Sequence, residues 1–351
     1  MKQIYFLIIF IFLDFSNLKA QTTDVITGLS QPSSVLINGN NLYFTEYNNG
    51  NSKVSKIDIT NNIVSQIVTG LTNSYAIGLI QNGNDLYFGE AQGNKASKID
   101  VTNSSTLPTT IVTGVRPYGF ALSGNFLYIS EYYLNKISKI DLTSPSPTII
   151  NVVTGLNGPY GIALNGNNLY IAEYFSNKIS KVDISVSNPT VQNVITNLSG
   201  PSSLAFKGNE LYFTESNANK ISKIDVTASL PINTLVLNGL SSPIGITFNG
   251  NDLYICEYNA NKISKLTIDN LSLNDNLSIT NSQILYPNPS KDFIIIKGID
   301  KDANYTIFDN LGKTINSGVV SENKKIEIKN LMNGLYFLRV DNVQTFKFIK
   351  E

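Results

Sequence analysis

Histidine and tryptophan are absent from this chain, cysteine occurs once and methionine twice in 351 residues. Without histidine there is no serine–histidine or cysteine–histidine nucleophile and no imidazole metal site. The lone Cys256 excludes an intramolecular disulfide and any paired-thiolate metal centre. An excess of charge is missing too: 26 lysines and arginines balance 26 aspartates and glutamates. No global field therefore draws nucleic acid or an anionic membrane. Beyond the N-terminal segment no apolar run is long enough for a transmembrane helix. Nothing in the composition implies a cofactor.

What is present begins with MKQIYFLIIFIFLDFSNLKA, a lysine followed by an apolar run and then small and polar residues. This reads as a secretory signal peptide over residues 1–20, with cleavage expected after Ala20. Next comes a repeat written six times, of which LYIAEYFSNKISKVDI (residues 169–184) is one copy. Its tyrosines are Tyr43, Tyr87, Tyr128, Tyr170, Tyr212 and Tyr254, a period near 42. A repeat of that length with several strand-like segments predicts an all-β fold, a six-bladed β-propeller over residues 21–270.

In the fourth copy, residues 160–164 read as an inner strand a, 169–174 as strand b, 178–184 as strand c and 191–196 as an outer strand d. The glycine before each strand b suits the positive φ of a hairpin turn. The sixth copy stops after strand c, while residues 23–27 resemble strand d of other copies. The N-terminal segment is thus expected to serve as outer strand of the last blade and to close the ring.

Each copy ends strand b with a glutamate followed by a lysine: Glu46 with Lys53, Glu90 with Lys95, Glu131 with Lys136, Glu173 with Lys178, Glu215 with Lys220, and Glu257 with Lys262. Antiparallel pairing sets each Glu opposite its Lys, a structural contact worth a fraction of a kcal/mol. Six equivalent copies do not make a catalytic pair, because acid and base need differing environments. A second lysine set (Lys56, Lys98, Lys139, Lys181, Lys223, Lys265) lies mid-strand c, where stems pack and heads reach water. Cys256 reads as a small buried filler.

Function is expected where the copies disagree. The d-to-a connections carry Tyr75, Arg116, Tyr118 and Tyr160, and the b-to-c loops carry Tyr47, Tyr132, Tyr133, Tyr174, Phe175 and Tyr258. These connections emerge on one face, making an aromatic-rich surface for an unknown glycan or protein ligand. Arg116 is the only arginine of the repeat region, and its fork suits carboxylate or phosphate.

The repeat resembles the NHL, YWTD and streptogramin-lyase-like propeller families, with LYFTE (residues 42–46) at their aromatic strand and NKISKID (residues 135–141) at the next. Streptogramin-type lyases rely on histidine, so that activity is not implied. Regucalcin-like and gluconolactonase propellers hold a divalent metal on axial acids and asparagine, and no unpaired acid stands at the matching strand-a positions.

Residues 271–281 are polar and read as a linker. Residues 282–351 alternate strands and turns, predicting a small Ig-like β-sandwich. They resemble the C-terminal sorting domain of type IX secretion cargo of Bacteroidetes, through Leu285-Tyr286-Pro287-Asn288-Pro289, Asp309-Asn310-Leu311-Gly312, Gly334-Leu335-Tyr336 and Lys347-Phe348-Ile349-Lys350. The resemblance implies type IX machinery as partner and a secreted or outer-membrane-surface location. The expected function is a non-enzymatic binding module for carbohydrate or protein. Its alternatives are a metal-dependent hydrolase or lactonase in the central channel and a structural scaffold.

Overall fold

The computed structural model describes residues 22–47, 51–72, 76–103, 107–268, 284–297, 302–309, 313–321, 324–340 and 344–351. The expected signal peptide, the linker 271–281 and Tyr75 lie outside the described residues. Among the described residues everything regular is strand, apart from one 3-10 turn, Ser216–Ala218. The chain divides into two compact units, residues 1–270 and 271–351.

The described residues of the first unit form six four-stranded antiparallel sheets, numbered I to VI in chain order of their inner strands. Sheet IV shows the pattern: a is Pro159–Asn165, b is Asn168–Glu173, c is Lys178–Asp183 and d is Gln192–Ile195. The glycine before strand b has φ between 54° and 60° in all six copies, a left-handed turn position that suits glycine. In sheet VI the outer place is taken by Thr23–Ile26, paired antiparallel with strand c, Lys262–Thr267. Lys262 also reaches the N-terminal strand through Asp24 at 2.7 Å.

Strand b is buried along its last five residues in every sheet, because both of its faces meet other sheets. An apolar cluster fills the space between each pair of consecutive sheets. Between IV and V it joins Tyr170, Ala172 and Ile179 to Leu204, Leu211 and Phe213. Between VI and I it joins Tyr254, Cys256 and Ile263 to Val35, Leu42 and Phe44. Each such leucine, isoleucine or phenylalanine contributes roughly 1.5–3 kcal/mol when fully buried. Cys256 is wholly buried, and desolvation pushes its thiol pKa up, away from any nucleophilic form.

Inner strands run side by side from I to VI, and that of VI lies beside that of I. Glycine permits this closeness. A Cβ on Gly161 would stand 2.4 Å from the Ser202 carbonyl of sheet V, and one on Gly119 2.6 Å from the Tyr160 carbonyl.

The second unit has a three-stranded sheet (Ile284–Tyr286, Phe293–Lys297, Lys325–Glu327) and a four-stranded one (Thr314–Val320, Ala303–Asp309, Gly334–Val340, Gln344–Lys350). One core unites them, including Ile294, Ile326, Ile307, Leu338 and Phe348.

Candidate functional site

Two positions in each repeat build one face of the first unit. The first is the second residue of strand a: Ser33, Ile77, Tyr118, Tyr160, Ser202 and Ile244 in sheets I to VI. The second is the residue after the strand-b glutamate: Tyr47, Ala91, Tyr132, Tyr174, Ser216 and Tyr258. Antiparallel pairing of a with b brings the two together at the same end of each sheet. In sheet III they are Tyr118 and Tyr132, stacked with centroids 4.7 Å apart. In sheet IV they are Tyr160 and Tyr174, 6.3 Å apart. Sheet V holds two serines in their place, Ser202 Oγ donating to Ser216 Oγ at 3.1 Å.

The rings of III and IV touch one another as well. Tyr118 meets Tyr160 edge-on at 5.1 Å, and Tyr132 meets Tyr160 at 5.7 Å and Tyr174 at 6.0 Å. Edge-to-face contacts of this kind add about 0.5–1.5 kcal/mol each beyond area burial, so this wall is stiff. Burial, with the neighbouring Tyr174 and Tyr133 phenols, pushes Tyr132 up to about 12, which keeps it neutral. Tyr174 Oη donates to Asn217 Oδ1 at 2.8 Å and Tyr258 Oη to Gln31 Oε1 at 3.0 Å, fixing two more rings.

Nine of these residues, Tyr47, Tyr118, Tyr132, Tyr160, Tyr174, Ser202, Ser216, Ile244 and Tyr258, line a cavity of about 400 Å³ together with Gln92, Tyr133, Ser242 and Asn259. A second cavity of about 180 Å³ lies between the inner strands and shares Tyr118, Tyr160 and Ile244 with it. Its wall is glycine, serine, threonine and apolar side chains. Neither lining includes a carboxylate, lysine, arginine or cysteine among the described residues.

Of the aromatic residues expected here, Tyr47, Tyr118, Tyr132, Tyr133, Tyr160, Tyr174 and Tyr258 line the cavity. Phe175 stands 57% exposed on the rim against Tyr132 and Tyr174, outside the lining. Gln92, Ser216, Ser242, Ile244 and Asn259 escaped the sequence reading, because single polar and aliphatic residues carry no signal of their own.

Arg116 is not in the lining either, and the reason is local. In the b-to-c turns a left-handed asparagine (Asn135, Asn177, Asn219 or Asn261) accepts a backbone N–H from the d-to-a connection, at 2.8–3.0 Å. The connection before sheet III, Val115-Arg116-Pro117, is one residue shorter than Leu156-Asn157-Gly158-Pro159 and lacks that N–H. Arg116 Nε fills the place, donating to Asn94 Oδ1 at 2.6 Å, while its guanidinium carbon lies 5.7 Å from the Tyr133 ring centroid. The expectation that Arg116 presents an open fork to a ligand is therefore revised: its side chain repairs a shortened loop. Arg116→Ala is expected to cost about 1 kcal/mol in chemical denaturation. Rebuilding the connection as Leu-Asn-Gly-Pro should restore it, and no restoration would refute the repair.

The six glutamates are structural in position, and more deeply set than a hairpin pair. Each is buried to 4% exposure or less, with its lysine ammonium at 3.1–3.4 Å. A strand-c serine also donates to each: Ser55, Ser97, Ser138, Ser180, Ser222 or Ser264. In five copies a backbone N–H of the d-to-a connection completes the set, from Ser30, Arg116, Asn157, Ser199 or Ser241. The recurring serine on an apolar strand was the available sequence signal. In the second lysine set, Lys98, Lys223 and Lys265 are paired with Asp85, Glu210 and Asp252 at 2.5–2.9 Å, where solvated heads were expected.

Residues 284–351 match the secretion system C-terminal sorting domain family. Beta-agarase A of Zobellia galactanivorans is 31% identical over 83 residues, which are 23% of this chain and 15% of the agarase, so the match spans a small part of that protein. Among solved structures, virginiamycin B lyase from Staphylococcus aureus is 20% identical, covering 70% of this chain and 98% of its own, with a TM-score of 0.53. A putative gluconolactonase is 11% identical, covering 71% and 92%, with a TM-score of 0.58. At such identities the likeness is one of fold: repeated four-stranded sheets arranged as in propeller proteins. The sorting domain marks the protein as cargo of type IX secretion, located on the cell surface or outside the cell. No helix among the described residues is long and apolar enough to cross a membrane.

Proposed function

We propose that residues 21–270 form a six-bladed propeller closed by the N-terminal outer strand, and that residues 282–351 form an Ig-like sandwich serving as export address. The exported propeller is a non-enzymatic binding module that holds a carbohydrate in its tyrosine-lined mouth. The closed arrangement is supported by the pairing of Thr23–Ile26 with Lys262–Thr267 and by the apolar cluster joining sheets VI and I. The binding reading rests on one observation above others. A cavity of about 400 Å³ is walled by rigid phenol rings on one side and by serines and an asparagine on another. Aromatic walls with a few placed hydroxyls and amides are how proteins hold polar rings that also have an apolar face. Catalysis by the six repeat glutamates is disfavoured because each is already committed to a lysine and a serine.

The test is a double variant that gives sheet IV the residues of sheet V, Tyr160→Ser with Tyr174→Ser. On a glycan array the full chain should lose at least about tenfold in affinity, while thermal unfolding stays cooperative. Undiminished glycan binding would sink the assignment, and retention of peptides alone would move it to a protein partner. Since the lining holds no carboxylate or amine among the described residues and Tyr132 stays neutral, affinity should be flat between about pH 5 and pH 8 in a pH-varied titration.

A further inference from the structure

We infer that the mouth takes the free end of an uncharged saccharide chain, inserted end-on, and not an internal stretch lying across it. The inference rests on the carbohydrate reading above and adds the part of the chain and the charge of the ligand.

The direction follows from which elements make the rim. Tyr47 comes from sheet I, Gln92 from II, Tyr132 from III, Tyr174 from IV, Ser216 from V and Tyr258 from VI. A cleft that receives an internal stretch of polymer needs two opposite openings, and a lining supplied by every sheet in turn leaves none. The way through the bottom is narrow. The lower cavity has about 180 Å³ against about 400 Å³ above. Its walls are inner strands whose backbones already touch, as the 2.4 Å and 2.6 Å Cβ approaches at Gly161 and Gly119 require. They have no room to spread. The upper cavity is at the low end of the ~300–1,000 Å³ range of small-ligand sites. It holds a terminal ring or two, and the rest of the chain must leave by the way it came in.

The charge follows from where the cations of this face are spent. Lys136, Lys178, Lys220 and Lys262 each hold a buried glutamate at 3.1–3.4 Å. Arg116 is tied to Asn94 and lies over Tyr133. No charged side chain is in the lining among the described residues, so a uronate or sulfate would lose water and find no counter-charge. A neutral sugar ring loses little on entering, since its hydroxyl edge meets Ser202, Ser216, Ser242 and Asn259 while its C–H face meets tyrosine rings.

The experiment is calorimetric titration of the full chain with the neutral series that an array selects, as linear oligosaccharides of increasing length. The same sugars are also offered closed into rings and with a terminal uronic acid. One protein should bind per linear chain whatever its length, with affinity levelling off after the first few residues. Ring closure and the terminal uronate should each weaken binding by about tenfold or more. Stoichiometry that rises with chain length, rings bound as tightly as linear chains, or a preferred uronate would overturn the end-on neutral reading and leave carbohydrate binding standing. No saccharide bound by the wild type overturns both. Binding that survives Tyr160→Ser with Tyr174→Ser shows that the sugar sits elsewhere, which also overturns both.

Discussion

Glu131→Ala is expected to cost the first unit about 3–5 kcal/mol, seen as a large drop in the midpoint of chemical denaturation. Glu131 has no exposed surface, and its carboxylate accepts Ser138 Oγ–H, the Lys136 ammonium at 3.3 Å and the Arg116 backbone N–H at 3.3 Å. Alanine takes that acceptor from all three donors: Lys136 keeps Asn151 Oδ1 at 3.0 Å, but the Ser138 hydroxyl loses its partner in a buried place. The penalty comes from the orphaned groups more than from the lost attraction. A triple replacement with Glu131→Leu, Lys136→Met and Ser138→Ala removes the polar set together, and should recover most of the loss. If the single variant costs under about 1 kcal/mol, within the range of an exposed pair, the buried joint described here is wrong.

Gly161→Ala is the second large effect expected. The atoms its Cβ would meet are backbone: the Ser202 carbonyl at 2.4 Å, Ser203 Cα at 2.9 Å and Leu204 N at 3.2 Å. Backbone in a paired strand cannot swing aside as a side-chain tip can, so sheets IV and V must separate. The cost should reach or exceed the upper end of the ~1–3 kcal/mol of an overpacked core. Because Tyr160 is the preceding residue, ligand affinity should fall as well. Gly166 supplies the control. It has φ of 59° with nothing within 4 Å of a built Cβ, so Gly166→Asn, which tolerates that conformation, should be close to neutral. Equal stability losses for the two variants would refute the distinction between crowding and turn geometry.

How much of this was legible depends on whether a property belongs to one repeat or to the fit between repeats. Strand order and the identity of the N-terminal outer strand were legible, because the period aligns six copies and shows which one lacks a strand. The aromatic residues were found by subtracting the copies, and seven of those expected line the cavity. The depth of the glutamates was not legible. A Glu and a Lys five residues apart look alike whether water or a connecting loop covers them, and the covering N–H belongs to a residue sixteen positions away, as from Asn157 to Glu173. Arg116 was misread for a similar reason. A lone arginine among tyrosines looks like a ligand contact until the missing residue beside it is counted.

The N-terminal strand has a consequence for how the protein is made and sent out. Asp24 and its partner Lys262 are 238 residues apart in the chain. Thr23–Ile26 is synthesised first and must wait, with its hydrogen-bonding edge unsatisfied, until nearly all of the repeat has followed it. The residues of the sorting domain, 284–351, come later still. A chain broken off early therefore lacks both its last seam and its address. Only a chain that contains every strand of the seam also carries the segment that takes it out of the cell.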